Sequence, residues 1–441
     1  MPLVVVVGAG LAGLACSAAL AEAGLEVAVL EARPFPGGRA TSYSVPSREG
    51  NAEVIDNCQH VLLRCCVNLL DFYRRLGVDG KIKFHRTFRF IEPGGRVSRF
   101  RAGLLPAPLH FTGAFLRLRF LGLSDKLAVA RALLTLRREA RRRSGLDEIS
   151  MMDWLREKRQ PPRAIDRFWR PVLVSAINEE LDGMAASHGF QVMRLGFLSS
   201  RRGYQMGLST APLGELYAAE LWRRFPRVRF RFREPVRRLL IEDGRVHGVE
   251  CDRRILFADY YVLAVPFEQV SSLAPELGFD AREWTHSPIT GIHLWFDRRV
   301  TNLPHAVLLD RTIQWFFNKS DGRYLQLVVS ASRSLLPMSK AEVVGLALKE
   351  LAEFLPEVRD ARLEKARVVK EVRATFAARP GLEALRPAAA TRLPNLFLAG
   401  DWTRSGWPAT MEGAVRSGYS AAEAVTAAAG EPRRFLLPDI A

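Results

Sequence analysis

Leu3-Val-Val-Val-Val7-Gly8-Ala-Gly10-Leu-Ala-Gly13 opens the chain and decides its fold. Leu3–Val7 is wholly apolar and mostly β-branched, the text of a buried parallel strand. Gly8 allows a tight turn, Gly10 lets backbone approach a pyrophosphate, and Gly13 lets helix and strand pack closely. Leu14–Ala23 is Ala-rich and helical and ends at Gly24, a C′ glycine. Leu25–Leu30 is a second strand, closing on Glu31, whose carboxylate suits ribose hydroxyls. Within about thirty residues this completes a strand–helix–strand unit of the dinucleotide-binding kind. The helix N-terminus, at Leu11 and Ala12, offers free N–H groups and a positive dipole to phosphates.

That unit alone does not separate FAD from NAD. Gly37-Gly38-Arg39 follows the second strand directly, flanked by Ala32 and Ala40. The two glycines permit close backbone approach, and Arg39 can neutralise diphosphate charge. Near the other end, the strand text Asn395–Ala399 runs into Gly400-Asp401, then Trp407-Pro408, and a helix begins at Met411-Glu412-Gly-Ala414. A second strand–loop–helix N-terminus of this sort serves the ribityl chain and ring of a flavin. A cofactor long enough to touch both ends is FAD. The fold class expected is α/β, a Rossmann-like GxGxxG FAD-binding domain with an inserted substrate domain of mixed sheet and helices. The expected boundaries are 1–80, 205–285 and 390–441 for the discontinuous FAD domain, and 81–204 with 286–389 for the substrate domain.

Between the ends the text alternates in character. Leu216–Phe225 reads as a helix. Val228–Arg233 alternates with period two, as a half-exposed strand does. Val236–Ile241 and Val246–Cys251 flank Asp243-Gly244, a hairpin turn signal. Ile289–Phe296, Ala306–Leu309, Ile313–Phe317 and Tyr324–Ser330 read as strands, Ala341–Phe354 and Met411–Ala428 as helices.

The motifs together resemble those of the FAD-binding amine oxidases and phytoene desaturases. Three passages resemble, more narrowly, the hydroxysqualene dehydroxylase family, the squalene-associated FAD-dependent desaturases. They are Asp56-Asn57-Cys58-Gln59-His60 running on to Gly77, Ala176–Leu181 with Ala185–Phe190, and Asn395–Thr403 with Gly406–Gly418. Similar proteins read Gly where Cys58 stands and a small residue where Arg64 stands. The resemblance implies FAD as cofactor, with Asn57, Cys58 and Val236 among its contacts. It also implies that hydride from reduced flavin replaces the hydroxyl of an allylic C30 alcohol, giving squalene and water. Such a step needs an acid for the departing hydroxide. Gln59 and His60 are the candidates for the polar work, His60 because it titrates near neutrality. Asp56 is placed with them, though a loop-fixing role suits it as well, and His188 is a weaker candidate. Trp407 and Pro408 are candidates to wall the substrate pocket. Two alternatives stay open: a carotenoid or other isoprenoid desaturase, or another amine-oxidase-type oxidoreductase, running the flavin in the oxidative direction; and a flavin-binding membrane-surface protein without turnover.

Composition narrows the partners. The chain carries 64 Lys and Arg against 47 Asp and Glu, a formal net charge of +17. Such an excess attracts anions. The arginines of Arg227–Arg233 alternate with core-facing residues and no nucleic-acid motif accompanies them, so nucleic acid is not expected. Five cysteines with no CxxC argue against a disulfide framework and against a metal site. The span Leu104–Leu134 sets Phe111, Phe115, Leu116, Leu118, Phe120 and Leu121 beside Arg117, Arg119 and Lys126, as an interfacial helix pair does. No uncharged stretch reaches the roughly 18–20 residues of a membrane span. The expectation is a cytoplasmic protein peripheral to the inner face of an anionic membrane, taking a long-chain isoprenoid from it and electrons from a donor the sequence does not name.

Overall fold

The valine run lies inside a five-stranded parallel sheet, between neighbours as apolar as itself. The computed structural model describes residues 1–46 and 52–440. The strand order is Val228–Phe232, Glu26–Glu31, Leu3–Val7, Tyr260–Leu263, Leu396–Leu398. All the pairings are parallel. Strands from both ends of the chain and from its middle therefore build one sheet. The helix Leu11–Glu22 packs against the C-terminal helix Met411–Ala428, and the crossing is close. A Cβ on Gly418 would stand 2.2 Å from the Ala12 carbonyl oxygen, so only glycine fits there.

A second, seven-stranded sheet has the order Leu363–Phe376, His286–Phe296, Tyr324–Ser330, Trp315–Ser320, His305–Leu308, Phe88–Ile91, Val97–Phe100. It is antiparallel except where His305–Leu308 runs beside Phe88–Ile91. One face, with Ile292, Leu294, Phe316, Leu325 and Leu327, packs on the helix Lys340–Phe354. The other, with Phe88, Trp315, Phe317 and Val328, turns toward the cavity described below. A small sheet joins Val61–Leu63, Met206–Ser209 and Ile82–His85. The loop Asn57–His60 leads into it from the strand Ala52–Asp56, which pairs with Ser42–Pro46.

Several elements differ from their sequence reading. Leu363–Phe376 is a 14-residue strand that the text hides. It lies at a sheet edge, where Glu, Lys and Arg interrupt the apolar alternation and block further pairing. The helix read over 216–225 is a short helix Leu213–Leu216 followed by a 3-10 turn Ala219–Arg224. It breaks at Tyr217, whose hydroxyl meets that of Tyr73 at 2.9 Å in the core. Tertiary packing overrides propensity there. In the basic segment, residues 104–108 are not helical. The two prolines Pro106 and Pro108 delay the first turn to Leu109–Phe111, and the helices are Thr112–Leu116 and the longer Leu123–Glu139. Among the described residues no helix is long and apolar enough to cross a membrane.

Candidate active site

The strand Leu3–Val7 delivers the chain to a glycine turn at the C-terminal edge of the parallel sheet. Gly8 has φ +104°, and a Cβ there would lie 2.5 Å from the Ala264 carbonyl oxygen. At Gly13 it would lie 2.0 Å from the Gly8 oxygen. Gly10 differs: its φ is −74°, and a Cβ would meet nothing nearer than the Gly38 Cα at 4.0 Å. The first two glycines are required by packing, whereas Gly10 faces space that a ligand can fill. No side chain caps the helix Leu11–Glu22, and its first turn holds no acid. Its N–H groups are left for an anion. Glu31 Oε2 accepts from Ala9 N at 2.8 Å and Oε1 from Arg33 N at 2.9 Å, which fixes the carboxylate with lone pairs to spare for hydroxyls. Arg39 Nη2 donates to Asp401 Oδ1 at 2.6 Å, tying the two cofactor motifs together across the sheet edge.

These features line one cavity of about 1250 Å³. Around its wall the structure brings together Gly8, Gly10, Leu11, Ala12, Glu31, Ala32, Gly37, Gly38, Arg39, Ala40, Asn57, Cys58, Gln59, His60, Val236, Gly400, Asp401, Trp407, Pro408, Met411, Glu412 and Ala414. Gly13 and Asp56 do not line it. Asp56 Oδ1 accepts from Ser42 Oγ (2.8 Å) and Leu213 N (2.9 Å), and Oδ2 stands 3.7 Å from Lys319 Nζ. It fastens three segments behind the wall. The glycine cradle, the uncapped helix end and the fixed Glu31 carboxylate fit the pyrophosphate and ribose of FAD.

The polar corner lies where the Asp56–His60 loop crosses the second sheet. A Cβ on Gly291 would come within 2.8 Å of the Asn57 oxygen, so a bare strand lets the loop close down. His60 Nε2 pairs with Asn57 Oδ1 at 3.1 Å. Burial pushes its pKa below the ordinary value, against the pull of Asp56 and Glu371. The ring is therefore neutral at neutral pH, a correction to its reading as a group titrating there. Gln59 Oε1 accepts from Lys319 Nζ at 2.9 Å, and its Nε2 donates to the His60 oxygen at 3.3 Å. Cys58 is buried, which pushes its thiol up to about 12 and leaves it unreactive. Arg64 turns from the cavity: its Nε donates to Gln205 Oε1 at 2.8 Å and its guanidinium covers the Phe84 ring at 3.7 Å. His188 is buried off the cavity, its pKa pushed down to about 3 by desolvation. Glu412 reaches the wall, but its carboxylate points into the protein. There it accepts from Asn68 N, Asn68 Nδ2 and Leu69 N at 3.2, 2.8 and 2.7 Å, capping the helix Val67–Leu76. Trp407 is held by a bond from Nε1 to Asp439 Oδ1 at 3.1 Å.

Sequence reasoning missed several groups. Arg386 is 1% exposed and donates to the carbonyls of Asp401 and Thr403, which shapes the loop after Gly400. Glu371, on the hidden edge strand, lines the cavity and accepts from Asn57 Nδ2 at 3.2 Å. Lys319 has no motif to announce it. The passage Ala176–Leu181 proves to be a brace: Asn178 bonds to Ser287 O, Thr375 Oγ1 and Ala331 N, and Glu179 pairs with Arg333.

Past the polar corner the cavity becomes an apolar arm. Phe88, Phe111, Phe168, Phe197, Trp315 and Phe317 form its walls. It opens along the helix Leu123–Glu139, which carries two apolar stripes. Val129, Ala132 and Leu136 pack inward. Leu123, Leu127, Ala130 and Leu134, with Lys126 and Arg137, border the opening. Leu123 is 77% exposed, and Leu104 nearby in sequence is 91% exposed. Among the described residues no group of three or more His, Cys, Asp or Glu could hold a metal ion.

Comparison with known proteins agrees with this geometry. A family profile described as "Flavin containing amine oxidoreductase" matches residues 11–426. The chain is 26% identical to 15-cis-phytoene desaturase of Synechococcus elongatus, over 98% of this chain and 97% of that protein. It is 28% identical to the chloroplastic/chromoplastic zeta-carotene desaturase of Zea mays, over 94% of this chain and 82% of that protein. Among solved structures, an oxidoreductase from Methanosarcina mazei superposes with a TM-score of 0.70 at 18% identity, covering 94% of this chain and 98% of that one. A putrescine oxidase variant superposes at 0.71 and 17% identity, covering 97% and 98%. A glycine cradle, a second ring-side motif and a profile that spans nearly the whole chain agree: the protein belongs to the flavin-containing amine oxidoreductase family, an FAD-dependent oxidoreductase of the amine oxidase and carotenoid desaturase type.

Proposed function

We propose that this enzyme exchanges hydride between FAD and a long linear isoprenoid that it draws from an anionic membrane. The observation that carries the reading is the lining of the cavity: one continuous cavity is bordered by the glycine motifs, by the polar Asn57–His60 loop, by a cluster of aromatic side chains and by the exposed Leu123, Leu127 and Leu134. Each CH₂ taken from water is worth about 0.8 kcal/mol, so a chain of this length resides in a bilayer and must be collected there. The exposed leucines with Lys126 and Arg137 at the mouth suit that uptake. Bound FAD supplies hydride transfer at its ring. The chain's own residues orient the isoprenoid along the arm, keep water from the reacting carbon, and place aromatic faces beside any positive charge that develops.

Two directions are open to such a site. The names of the similar proteins, phytoene and zeta-carotene desaturases, favour removal of hydride from the isoprenoid. The three passages that resemble the hydroxysqualene dehydroxylases favour delivery of hydride with loss of water. The Lys319–Gln59 pair, a half-buried cation behind a wall amide, supports the second by offering a proton source. The deciding experiment gives purified protein hydroxysqualene with reduced flavin, and separately phytoene with oxidised flavin and a quinone acceptor, with products read by mass spectrometry. Squalene fixes the reductive direction; a further conjugated double bond fixes the oxidative one. Conversion of neither overturns the isoprenoid reading. Binding to anionic vesicles is expected to weaken as salt rises; binding indifferent to both salt and lipid charge removes the electrostatic part of the uptake.

A further inference from the structure

The small sheet that follows the Asn57–His60 loop ends in a group of arginines that the site does not use. Leu63 pairs with Met206, and Met206 with His85. Arg64 and Arg86 therefore leave that sheet at one end, on either side of Gln205. Arg64 donates twice to Gln205, from its backbone N to the carbonyl oxygen at 2.9 Å and from Nε to Oε1 at 2.8 Å. Gln205 N donates to the Arg202 carbonyl at 3.0 Å, a turn that keeps Arg201 and Arg202 at the same end. The Tyr204 hydroxyl donates to the Arg86 carbonyl at 2.8 Å and accepts from Ala102 N at 3.0 Å, while Arg201 Nη2 donates to the Gly103 carbonyl at 3.0 Å. These bonds bring Arg101 beside the others. Arg86, Arg101, Arg201 and Arg202 are exposed and Arg64 is partly so. Among the described residues none of these guanidinium groups meets a carboxylate. Burial first, and then the charges of Arg202 and Arg86, hold the Arg64 pKa below its ordinary value. Like charges gathered in this way repel, and an anion relieves them.

The group sits on the rim of the cavity. Leu63, Phe100 and Leu198 line the cavity and lead directly into Arg64, Arg101 and the turn at 199–202. Past Arg101 the loop exposes Leu104 and Leu105, and then Leu109, which lines the cavity again. Guanidinium groups grip phosphate oxygens with two parallel N–H donors. A free anion would satisfy a few of them and leave Leu104 and Leu105 in water. A lipid leaflet offers a plane of phosphates with an apolar layer beneath it, which suits both residue types at once. We propose that Arg64, Arg86, Arg101, Arg201 and Arg202, with Leu104 and Leu105 beside them, dock on the phosphate groups of an anionic phospholipid leaflet and hold this rim of the cavity against the bilayer. The docking needs no turnover; only its use, setting the cavity against the source of its substrate, rests on the isoprenoid reading.

The test floats the holoenzyme with phosphatidylcholine vesicles, with and without phosphatidylglycerol, and no isoprenoid. The variant Arg86→Gln/Arg101→Gln/Arg202→Gln neutralises exposed side chains that make no hydrogen bond, so FAD content and melting temperature are expected to stay as in the wild type. A control, Arg223→Gln/Arg229→Gln/Arg233→Gln, removes the same charge from exposed arginines that do not border the cavity. Binding that depends on phosphatidylglycerol should weaken roughly a hundredfold in the rim variant, the sum of three arginines at a charged surface. In the control it should weaken by less than about threefold, as charges beyond a Debye length from the leaflet do. Equal losses in the two variants would show that net charge alone acts, and undiminished binding of the rim variant would show that another face docks; either overturns the proposal. Inorganic diphosphate at matched ionic strength is expected to leave the wild type on the vesicles. Full release by it would assign the arginines to a free anion and also overturn the docking. A rim variant that fails to float, beside a wild type that floats yet converts neither isoprenoid, would leave the docking standing and remove the isoprenoid reading.

Discussion

The three glycines of the first turn look alike in the text yet have different duties, and substitution separates them. A Cβ at Gly13 strikes the Gly8 oxygen, while a Cβ at Gly10 enters open space. Gly13→Val is therefore expected to unfold or fail to accumulate. Gly10→Val should fold with a near-normal melting temperature and come out colourless, since its side chain fills the pyrophosphate position. A yellow Gly10→Val protein would contradict the assignment of that space. His60 sits at the cavity wall, hydrogen-bonded to Asn57 and not to the glycine motifs. His60→Ala is expected to retain FAD and lose turnover by about tenfold or more, an effect of the size that polar catalytic groups contribute. Loss of flavin from that variant would make His60 a structural residue. The turn glycines and the helix start at the cavity wall were legible because their spacing has a physical cause, a tight turn that opens a helix with uncapped N–H groups. Arg386, Glu371 and Lys319 were not: each acts through partners tens to hundreds of positions away, such as Gln59 for Lys319, and no local pattern encodes that.

At the scale of elements, the helices were readable where burial alone decides them. Met411–Ala428 begins and ends where its text predicts. The hairpin turn at Asp243-Gly244 follows its two positive φ angles, 47° and 71°. The edge strand Leu363–Phe376 was hidden because an edge strand is under pressure to look polar. The helix Val67–Leu76 depends on a distant carboxylate in place of a local cap. Glu412 serves two backbone N–H groups and one side-chain amide of that helix from across the fold, in full burial. Glu412→Ala would leave those donors dry and is expected to cost about 3 kcal/mol or more, read by chemical denaturation of the holoprotein. A variant within about 0.5 kcal/mol of wild type, the range of ordinary surface changes, would contradict the capping role.

For the whole molecule, buried histidines set the acid limit. Burial lowers His188 to about 3, His293 to about 4 and His305 to about 3, from an ordinary value of 6.5. Below pH 6.5 the unfolded chain takes up protons that the folded one refuses. Stability is then greatest above that pH and falls as pH drops toward 4, by up to about 1.4 kcal/mol per pH unit for each histidine. Denaturation midpoints measured from pH 7 to pH 4 are expected to fall steeply. A flat profile would show that these rings protonate in the folded state. The interlocking of the two termini has a further consequence, for synthesis. The strand Tyr260–Leu263 waits for Leu396–Leu398 to complete its hydrogen bonding, and Leu11–Glu22 waits for the glycine-bearing helix that crosses it. A ribosome must therefore have passed residue 428 before the first sheet and its helix pair can close, leaving an unpaired apolar edge for chaperones to shield until then.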